Sequence, residues 1–276
     1  MLYYHPCLIF WYFFIKKKVQ KIKLQVKKNI LLFSSIIVAI TTIAQTKITV
    51  AVAANMQYTI EALKTEFNKT DKTEIEVVLG ASGKLTQQIM QSAPFDIFIS
   101  ADTAFPKKLA DTGFAAAPPK VYAQGLLVLW TVNANIQPNG DLKLLLNDNI
   151  KHIAIANPKT APYGFAAESI LKKYNLYDKV SLKLVIGESI SQTSQFIATQ
   201  AADIGFTAKS IVISDEMKGK GKWIELNEKD YFAIKQAAVL LKYGQENHGA
   251  EAKKFYDFLF SAKAKEIYKK FGYVVK

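Results

Sequence analysis

The sequence contains no arginine, since all 36 basic residues are lysines. No guanidinium group is therefore available to bind a carboxylate or phosphate through two parallel hydrogen bonds. The lysines are scattered along the chain and form no basic stripe with interleaved aromatic residues. This distribution disfavours nucleic acid as a partner.

Cysteine and histidine are almost as scarce. The single cysteine, Cys7, lies upstream of the apolar segment at 30–44, so a cleaved protein carries neither a disulfide nor a lipid-modified cysteine. Beyond residue 44 the histidines are His152 and His248, and neither belongs to a recognisable motif. Clusters with the spacing of metal ligands are also missing from the sequence. We therefore expect no bound metal ion and no cofactor.

The N-terminal 44 residues differ in composition from the rest of the chain. They contain seven lysines and no acidic residue, and their apolar segment at 30–44 ends in Thr42, Ile43 and Ala44. That segment is shorter than the roughly 20 residues of a membrane span. It predicts a signal peptide over 1–44 with cleavage after Ala44. An uncleaved N-terminal anchor is the alternative, because a second apolar run occupies 8–15.

Over the whole chain, half-hydrophobic composition and a length of 276 residues exclude intrinsic disorder. Short runs typical of strands alternate with helical periodicity, which predicts an α/β protein with mainly parallel sheets. Predicted strands lie at 48–53, 75–79, 95–100, 126–132, 153–156, 182–186, 203–206 and 231–242. Predicted helices lie at 56–69, 85–91, 164–174, 191–200, 250–260 and 262–271. The length permits two lobes, one from 45–124 plus 232–276 and the other from 125–231.

Four predicted strands run into a helix through small or polar residues, at 51–56, 79–84, 157–164 and 187–191. In open parallel sheets, ligands bind beyond the carboxyl ends of the strands. There the first N–H groups of each helix lack intrahelical partners and carry partial positive charge. Converging helix N-termini would bind a small anion through neutral donors. Taken singly, Asn55 and Ser82 could instead be ordinary helix N-caps, and Tyr163 a packing residue.

Enzymatic motifs fail at defined positions. A phosphate-binding loop ending at Lys84 requires glycine where Val78 stands and serine or threonine where Leu85 stands. A nucleophile elbow around Ser82 requires glycine in place of Lys84. The sequence therefore predicts a protein without catalytic activity.

The sequence from 47 to 276 resembles the periplasmic molybdate-binding proteins of molybdate ABC transporters. The resemblance rests on an ordered set of segments: ITVAVAAN at 48–55, ASGKL at 81–85, FDIFISAD at 95–102, NP at 157–158, PYG at 162–164, ADIGF at 202–206, FYDFL at 255–259 and YKKFGY at 268–273. It implies a two-lobed periplasmic-binding-protein (Venus flytrap) fold. It also implies a periplasmic protein that encloses molybdate or tungstate and delivers the ion to a membrane permease, and we expect it to be a monomer.

Carried over by position, the resemblance implies that the side chains of Asn55 and Ser82 donate to the oxyanion. Backbone N–H groups of Ser82, Tyr163 and Ile190 would add to them. Some members of the family also use a tyrosine hydroxyl where Ala208 stands here, so that donor is either missing or replaced by another group, such as Thr207.

Two other functions compete with this one. The same fold could bind sulfate, thiosulfate or another oxyanion. A secreted serine hydrolase would need Ser82 or His248 as an activated nucleophile or base.

Overall fold

The computed structural model describes residues 6–37 and 46–275. The chain divides into two units, Met1–Ala44 and Gln45–Lys276. In the first unit a helix, α1, covers Pro6–Ile37. Within the described ranges, no helix combines the length and the apolar character needed to cross a membrane. The predicted cleavage position after Ala44 lies outside the described residues, so the signal peptide stays a prediction.

The second unit is an alternating α/β structure. Its strands are β1 Lys47–Ala53, β2 Glu74–Gly80, β3 Ile97–Ile99, β4 Lys120–Gly125, β5 Leu127–Thr131, β6 Ile153–Ala156, β7 Leu184–Gly187, β8 Ile204–Ala208, β9 Lys222–Glu225 and β10 Ile234–Leu240. Its α-helices are α2 Gln57–Phe67, α3 Ser82–Met90, α4 Ala104–Asp111, α5 Pro162–Lys173, α6 Tyr177–Val180, α7 Ile190–Ala198, α8 Lys209–Val212, α9 Lys242–Asn247, α10 Gly249–Phe258 and α11 Ala262–Lys270. This order agrees with the predicted α/β class.

The strands form two five-stranded sheets. The first sheet has the order β2-β1-β3-β10-β4 and the second has the order β7-β6-β8-β5-β9. In the first sheet β1 is parallel to β2 and β3, while β10 is antiparallel to β3 and β4. In the second sheet β6 is parallel to β7 and β8, while β5 is antiparallel to β8 and β9. The fold is thus two-lobed, with helices around two mixed sheets.

The expectation of mainly parallel sheets needs correction, since half of the pairings in each sheet are antiparallel. The parallel pairings come from the βαβ units, in which a helix returns the chain to the same edge. The antiparallel pairings come from β5 and β10, which follow the two places where the chain passes from one sheet to the other. A strand that enters a sheet directly, without a crossover helix, need not run with its neighbours.

Burial along β1 shows why helices cover both faces of the first sheet. Ile48 and Val52 are fully buried on one face and belong to the same apolar cluster as Ile60 of α2. Ala51 points to the other face and packs in a cluster with Leu85 of α3. Alternation of side chains along a strand therefore places α2 and α3 on opposite sides, and the connections into both helices start at the same edge of the sheet.

Several elements were not predicted from the sequence. The edge strands β4 and β9 contain exposed polar residues and lack a continuous apolar run. The helices α4 and α8 are short, at eight and four residues. Strand β3 is shorter than predicted, at three residues. Elements with such weak local patterns depend more on tertiary contacts than on the intrinsic propensity of their residues.

Candidate functional site

A small cavity lies where β1 and β2 end and where α3, α5 and α7 begin. Its volume is about 10 Å³, which is room for about one water molecule. The lining residues are Ala53, Ala54, Asn55, Gly80, Ala81, Ser82, Ala101, Ala161, Pro162, Tyr163 and Ile190. The four predicted site residues, Asn55, Ser82, Tyr163 and Ile190, therefore come together around one cavity between the two sheets.

Two of the helices that reach the cavity have no side-chain cap. Ser82 is the first residue of α3 and Tyr163 is the second residue of α5. Their N–H groups lie in the first turn and have no intrahelical acceptor. The N-cap residues are Ala81 and Ala161, whose methyl groups cannot accept a hydrogen bond. Both helix ends therefore leave backbone donors and partial positive charge for a ligand.

The third helix, α7, begins with Ile190 and is capped differently. Ser189 precedes it, and its hydroxyl accepts a hydrogen bond from the N–H of Gln192. The N–H of Ile190 itself lies in the first turn and lacks an intrahelical acceptor. Since Ile190 is buried and its side chain is apolar, only this N–H can bind an anion.

Ser82 does not cap a helix, contrary to the simplest interpretation of the sequence. Its side chain is buried, and its Oγ accepts a hydrogen bond from the N–H of Ala101 at 3.0 Å. A hydroxyl that accepts one bond keeps its own proton for donation. The Ala101 contact thus orients Ser82 as a donor at the cavity.

Asn55 lies in a 3₁₀ turn, Ala54–Met56, between β1 and α2, and is 1% exposed. The N-cap of α2 is Met56, so Asn55 does not cap that helix. Its Nδ2 donates to Gln236 Oε1 and to the hydroxyl of Tyr273, both at 3.1 Å. Its Oδ1 is buried and has no hydrogen-bond partner among the described residues.

No charged side chain lines the cavity within the described residues. The salt bridge between Lys84 and Glu188 connects the first turn of α3 with the turn before α7, but both side chains are about half exposed. Burial raises the pKa of Tyr163 well above its usual value and also raises the pKa of Tyr273. Both phenols therefore stay protonated at neutral pH, and the described side chains that line the cavity are neutral.

Hydrogen bonds across the cleft hold the cavity closed. The N–H of Gly83, at the start of α3, donates to the carbonyl of Thr160 at 2.9 Å. The hydroxyl of Ser210 in α8 donates to the carbonyl of Asn55 at 2.9 Å. A Cβ on Gly83 would lie 3.0 Å from Thr160 Cα and 2.8 Å from Phe105 Cζ. Closure therefore needs a residue without a side chain at position 83.

The proposed substitute for a tyrosine donor does not reach the cavity. Ala208 and Thr207 are buried in β8, and neither lines the cavity. The Thr207 hydroxyl is 2.6 Å from the hydroxyl of Ser194. A tyrosine hydroxyl does lie next to Asn55, but it belongs to Tyr273 near the end of the chain.

Sequence reasoning missed three residues that support the site. Ala101 orients Ser82, and Gln236 and Tyr273 contact Asn55. The sequence features that could have indicated these residues were weak. Gln236 is a buried polar residue within an apolar strand, and Tyr273 lies in one of the segments that carry the family resemblance.

The arrangement gives no support to a serine hydrolase. The Ser82 hydroxyl bonds to a backbone N–H, and no described histidine is hydrogen-bonded to it. His248 Nδ1 instead lies 2.7 Å from Asp96 Oδ1, a buried carboxylate that also accepts the N–H of Thr49. A serine nucleophile requires a base within hydrogen-bond reach.

Two α/β lobes around a buried, uncharged donor site define a solute-binding protein of the two-lobed class. The chain belongs to the bacterial extracellular solute-binding protein family, whose model matches residues 48–274. Members of this family bind solutes and are not enzymes.

Two molybdate-binding proteins are similar to this chain over most of its length. The molybdate-binding protein ModA of Rhodobacter capsulatus is 41% identical over 82% of this chain and 87% of its own length. ModA of Azotobacter vinelandii is 38% identical, over 82% of this chain and 89% of its own length.

Solved structures agree with this assignment. The periplasmic molybdate-binding protein of Azotobacter vinelandii superimposes with a TM-score of 0.78 at 34% identity, covering 83% of this chain and 99% of that one. The sulfate-binding protein SubI of Mycobacterium tuberculosis H37Rv has a TM-score of 0.71 at 15% identity, covering 83% of this chain and 86% of that one. The second likeness shows a shared fold alone.

Proposed function

We propose that this protein binds molybdate or tungstate outside the cytoplasm and delivers the ion to the permease of an ABC transporter. The observation that carries the proposal is the cavity, at which two uncapped helix N-termini meet the side chains of Asn55 and Ser82. The similarity to proteins named as molybdate-binding supports it. Asn55 and Ser82 donate through their side chains, and Ser82, Tyr163 and Ile190 donate through backbone N–H groups.

Neutral donors are sufficient to hold a dianion here. Each hydrogen bond to a charged group contributes about 1.5–3 kcal/mol, and a closed, dry site strengthens it. Oxyanions of larger central atoms have longer bonds to oxygen, so the size of the closed cavity selects among tetrahedral dianions. Selection by size instead of charge is the expected behaviour of a site without ionised side chains.

Sulfate and thiosulfate are the competing ligands, and competition separates the two proposals. We expect tungstate to displace molybdate at comparable concentrations and sulfate or thiosulfate to displace it only at a large excess. Displacement by sulfate at concentrations equal to that of molybdate would instead assign the site to smaller oxyanions.

The two lobes are proposed to comprise residues 45–124 with 232–276, and residues 125–231. The sheet memberships support this division, because β1 to β4 and β10 form one sheet and β5 to β9 form the other. The chain then crosses between lobes twice, near Gly125 and near Tyr231. The protein is proposed to act as a monomer, since one chain supplies every donor of the site.

The N-terminal segment is proposed to be a signal peptide that directs the protein to the periplasm. Intact-mass analysis of the exported protein should show a chain that begins at Gln45. A dominant species that still contains residues 8–15 would contradict cleavage and indicate a membrane anchor.

Affinity for molybdate should be nearly independent of pH between about 6 and 9. Burial raises the pKa of Tyr163 and of Tyr273, so neither phenol loses its proton in this range. The ordinary titration range of histidine lies near pH 6.5, and no described histidine lines the cavity. Titrations at pH 6 and pH 9 that differ by more than about tenfold, roughly 1.4 kcal/mol, would place an ionising group at the site.

Gly83→Ala should weaken molybdate binding by keeping the cleft from closing fully. A Cβ at this position meets backbone of Thr160 at 3.0 Å and the ring of Phe105 at 2.8 Å. Overpacking of this kind costs about 1–3 kcal/mol, a rise of roughly 5- to 150-fold in the dissociation constant.

The matched control for this substitution is Gly140→Ala, where a Cβ meets nothing within 4 Å. Calorimetric titration should give an unchanged dissociation constant for that variant. Equal affinities of both variants and the parent protein would show that closure at Gly83 does not contribute to binding.

A further inference from the structure

Gln236 is the third residue of β10 and is the buried polar residue of that strand. It is fully buried, and it makes hydrogen bonds to both sides of the cleft. Its Oε1 accepts from Asn55 Nδ2 at 3.1 Å and from the Tyr122 hydroxyl at 2.6 Å. Its Nε2 donates to the Tyr163 hydroxyl at 3.0 Å. One amide therefore connects Asn55, next to the first sheet, with Tyr163 in α5, which flanks the second.

The direction of these hydrogen bonds leaves the amide oxygen of Asn55 without a partner in the described part of the chain and engages its amide nitrogen. Its Nδ2 is engaged by Gln236 and Tyr273, while the buried Oδ1 has no partner among the described residues. An oxyanion offers only acceptors, so it needs the N–H end of the amide. With these contacts, the free atom of the Asn55 side chain is an acceptor, which can bind a donor but cannot bind an anion.

The same atoms support a second set of hydrogen bonds if the amides of Asn55 and Gln236 both turn over. Gln236 Nε2 would then donate to Asn55 Oδ1 and to the Tyr122 hydroxyl. Gln236 Oε1 would accept from the Tyr163 hydroxyl, since a phenol can both donate and accept. Asn55 Nδ2 would become the free end of its amide.

The phenols around the amides can accommodate this reversal. The Tyr122 hydroxyl lies 3.1 Å from the carbonyl of Ser100, to which it can donate when it accepts from Gln236. The Tyr273 hydroxyl lies 3.1 Å from the Asn55 amide nitrogen and can donate once the oxygen occupies that place. Burial keeps the phenols of Tyr122 and Tyr273 protonated by raising their pKa values. In the reversed set each of these groups keeps a partner.

We propose that Gln236 is a positioning residue that determines which end of the Asn55 amide faces the ligand. In the orientation that binds an anion, Gln236 Nε2 donates to Asn55 Oδ1, and Asn55 Nδ2 faces the ligand. Because Gln236 also binds Tyr163, the orientation of Asn55 is linked to the contact between the two sides of the cleft. This inference rests on the proposed function, since it assumes that Asn55 donates to an oxyanion.

The test is a double-mutant cycle on molybdate binding with Gln236→Met and Asn55→Ala. Methionine keeps the approximate volume of glutamine but has no amide group, so it cannot hydrogen-bond to the Asn55 amide and fix its orientation. In the parent protein Gln236→Met should raise the dissociation constant by about tenfold or more, as expected for one lost bond to a charged group. In the Asn55→Ala background the same substitution should change it by less than about twofold, because no amide remains to be positioned.

Tyr268→Phe is the control for the loss of a buried polar contact. The Tyr268 hydroxyl donates to the carbonyl of Leu259 and takes no part in the Gln236 contacts. The affinity of Tyr268→Phe for molybdate should match that of the parent protein. If Gln236→Met does not fold, Tyr163→Phe takes its place in the cycle, because it removes the phenol partner of Gln236 and retains the backbone N–H of residue 163.

The outcomes separate this inference from the proposed function. Strong coupling between the two substitutions supports the positioning role. An equal loss in both backgrounds overturns it, since the effect of Gln236 would not pass through Asn55, and so does an unchanged affinity of Gln236→Met. Failure of the parent protein to bind molybdate would overturn the proposed function itself, and that titration is made first.

Discussion

Asn55→Asp is expected to raise the dissociation constant for molybdate more than about a thousandfold at pH 8. The substitution preserves the shape of the side chain but replaces the N–H end of the amide with a carboxylate, which can only accept. Two unit charges 4 Å apart repel by about 4 kcal/mol at an effective dielectric constant near 20. That energy corresponds to about a thousandfold in affinity, and a dianion is repelled more strongly.

The affinity of this variant should also depend on pH, unlike that of the parent protein. Burial and the neighbouring anion favour the neutral carboxyl, so binding should strengthen as the pH falls and the carboxyl gains a proton. Asn227→Asp, at an exposed asparagine, makes the same change of charge away from the cavity and should bind molybdate normally. If calorimetry gives Asn55→Asp an affinity within about threefold of the parent protein at pH 8, Asn55 does not contact the anion.

Ser82→Ala is expected to raise the dissociation constant about 10- to 150-fold. The hydroxyl accepts from the Ala101 N–H and is thereby oriented to donate at the cavity. One lost hydrogen bond to a charged group costs about 1.5–3 kcal/mol, which gives this range. The backbone N–H of residue 82 remains in the variant, so binding should be weakened and not abolished.

Ser214→Ala provides the matched control, because Ser214 is equally buried and its hydroxyl donates to the Ile211 carbonyl. Calorimetric titration and thermal unfolding without ligand should be measured on both variants. We expect both to unfold at similar temperatures and only Ser82→Ala to lose affinity. A loss of affinity of equal size in both variants would attribute the effect to general destabilisation.

The sequence placed the four proposed site residues at turns where a predicted strand runs into a helix, and the family resemblance supplied their donor roles. Strand ends and helix starts are local features, and in an α/β fold they meet at one edge of the sheet. The contacts of Asn55 with Gln236 and Tyr273 join residues 181 and 218 positions apart. No local pattern predicts such contacts, because they depend on how β10 and the C-terminal residues return to the first sheet.

Ser82 shows a second limit of the sequence. A serine before a helical pattern is typical of an N-cap, yet Ala81 occupies that position and Ser82 is the first helical residue. The difference is one residue, which is smaller than the uncertainty of helix boundaries. Its consequence is large, because it leaves the helix end uncapped and directs the hydroxyl to Ala101.

The measurement that tests the account most directly is a calorimetric titration of the ligand-stripped protein, beginning at Gln45, with molybdate, tungstate and sulfate. The account predicts one binding site per chain for molybdate and for tungstate, with far weaker binding of sulfate. Absence of molybdate binding, or sulfate binding of equal strength, would contradict it.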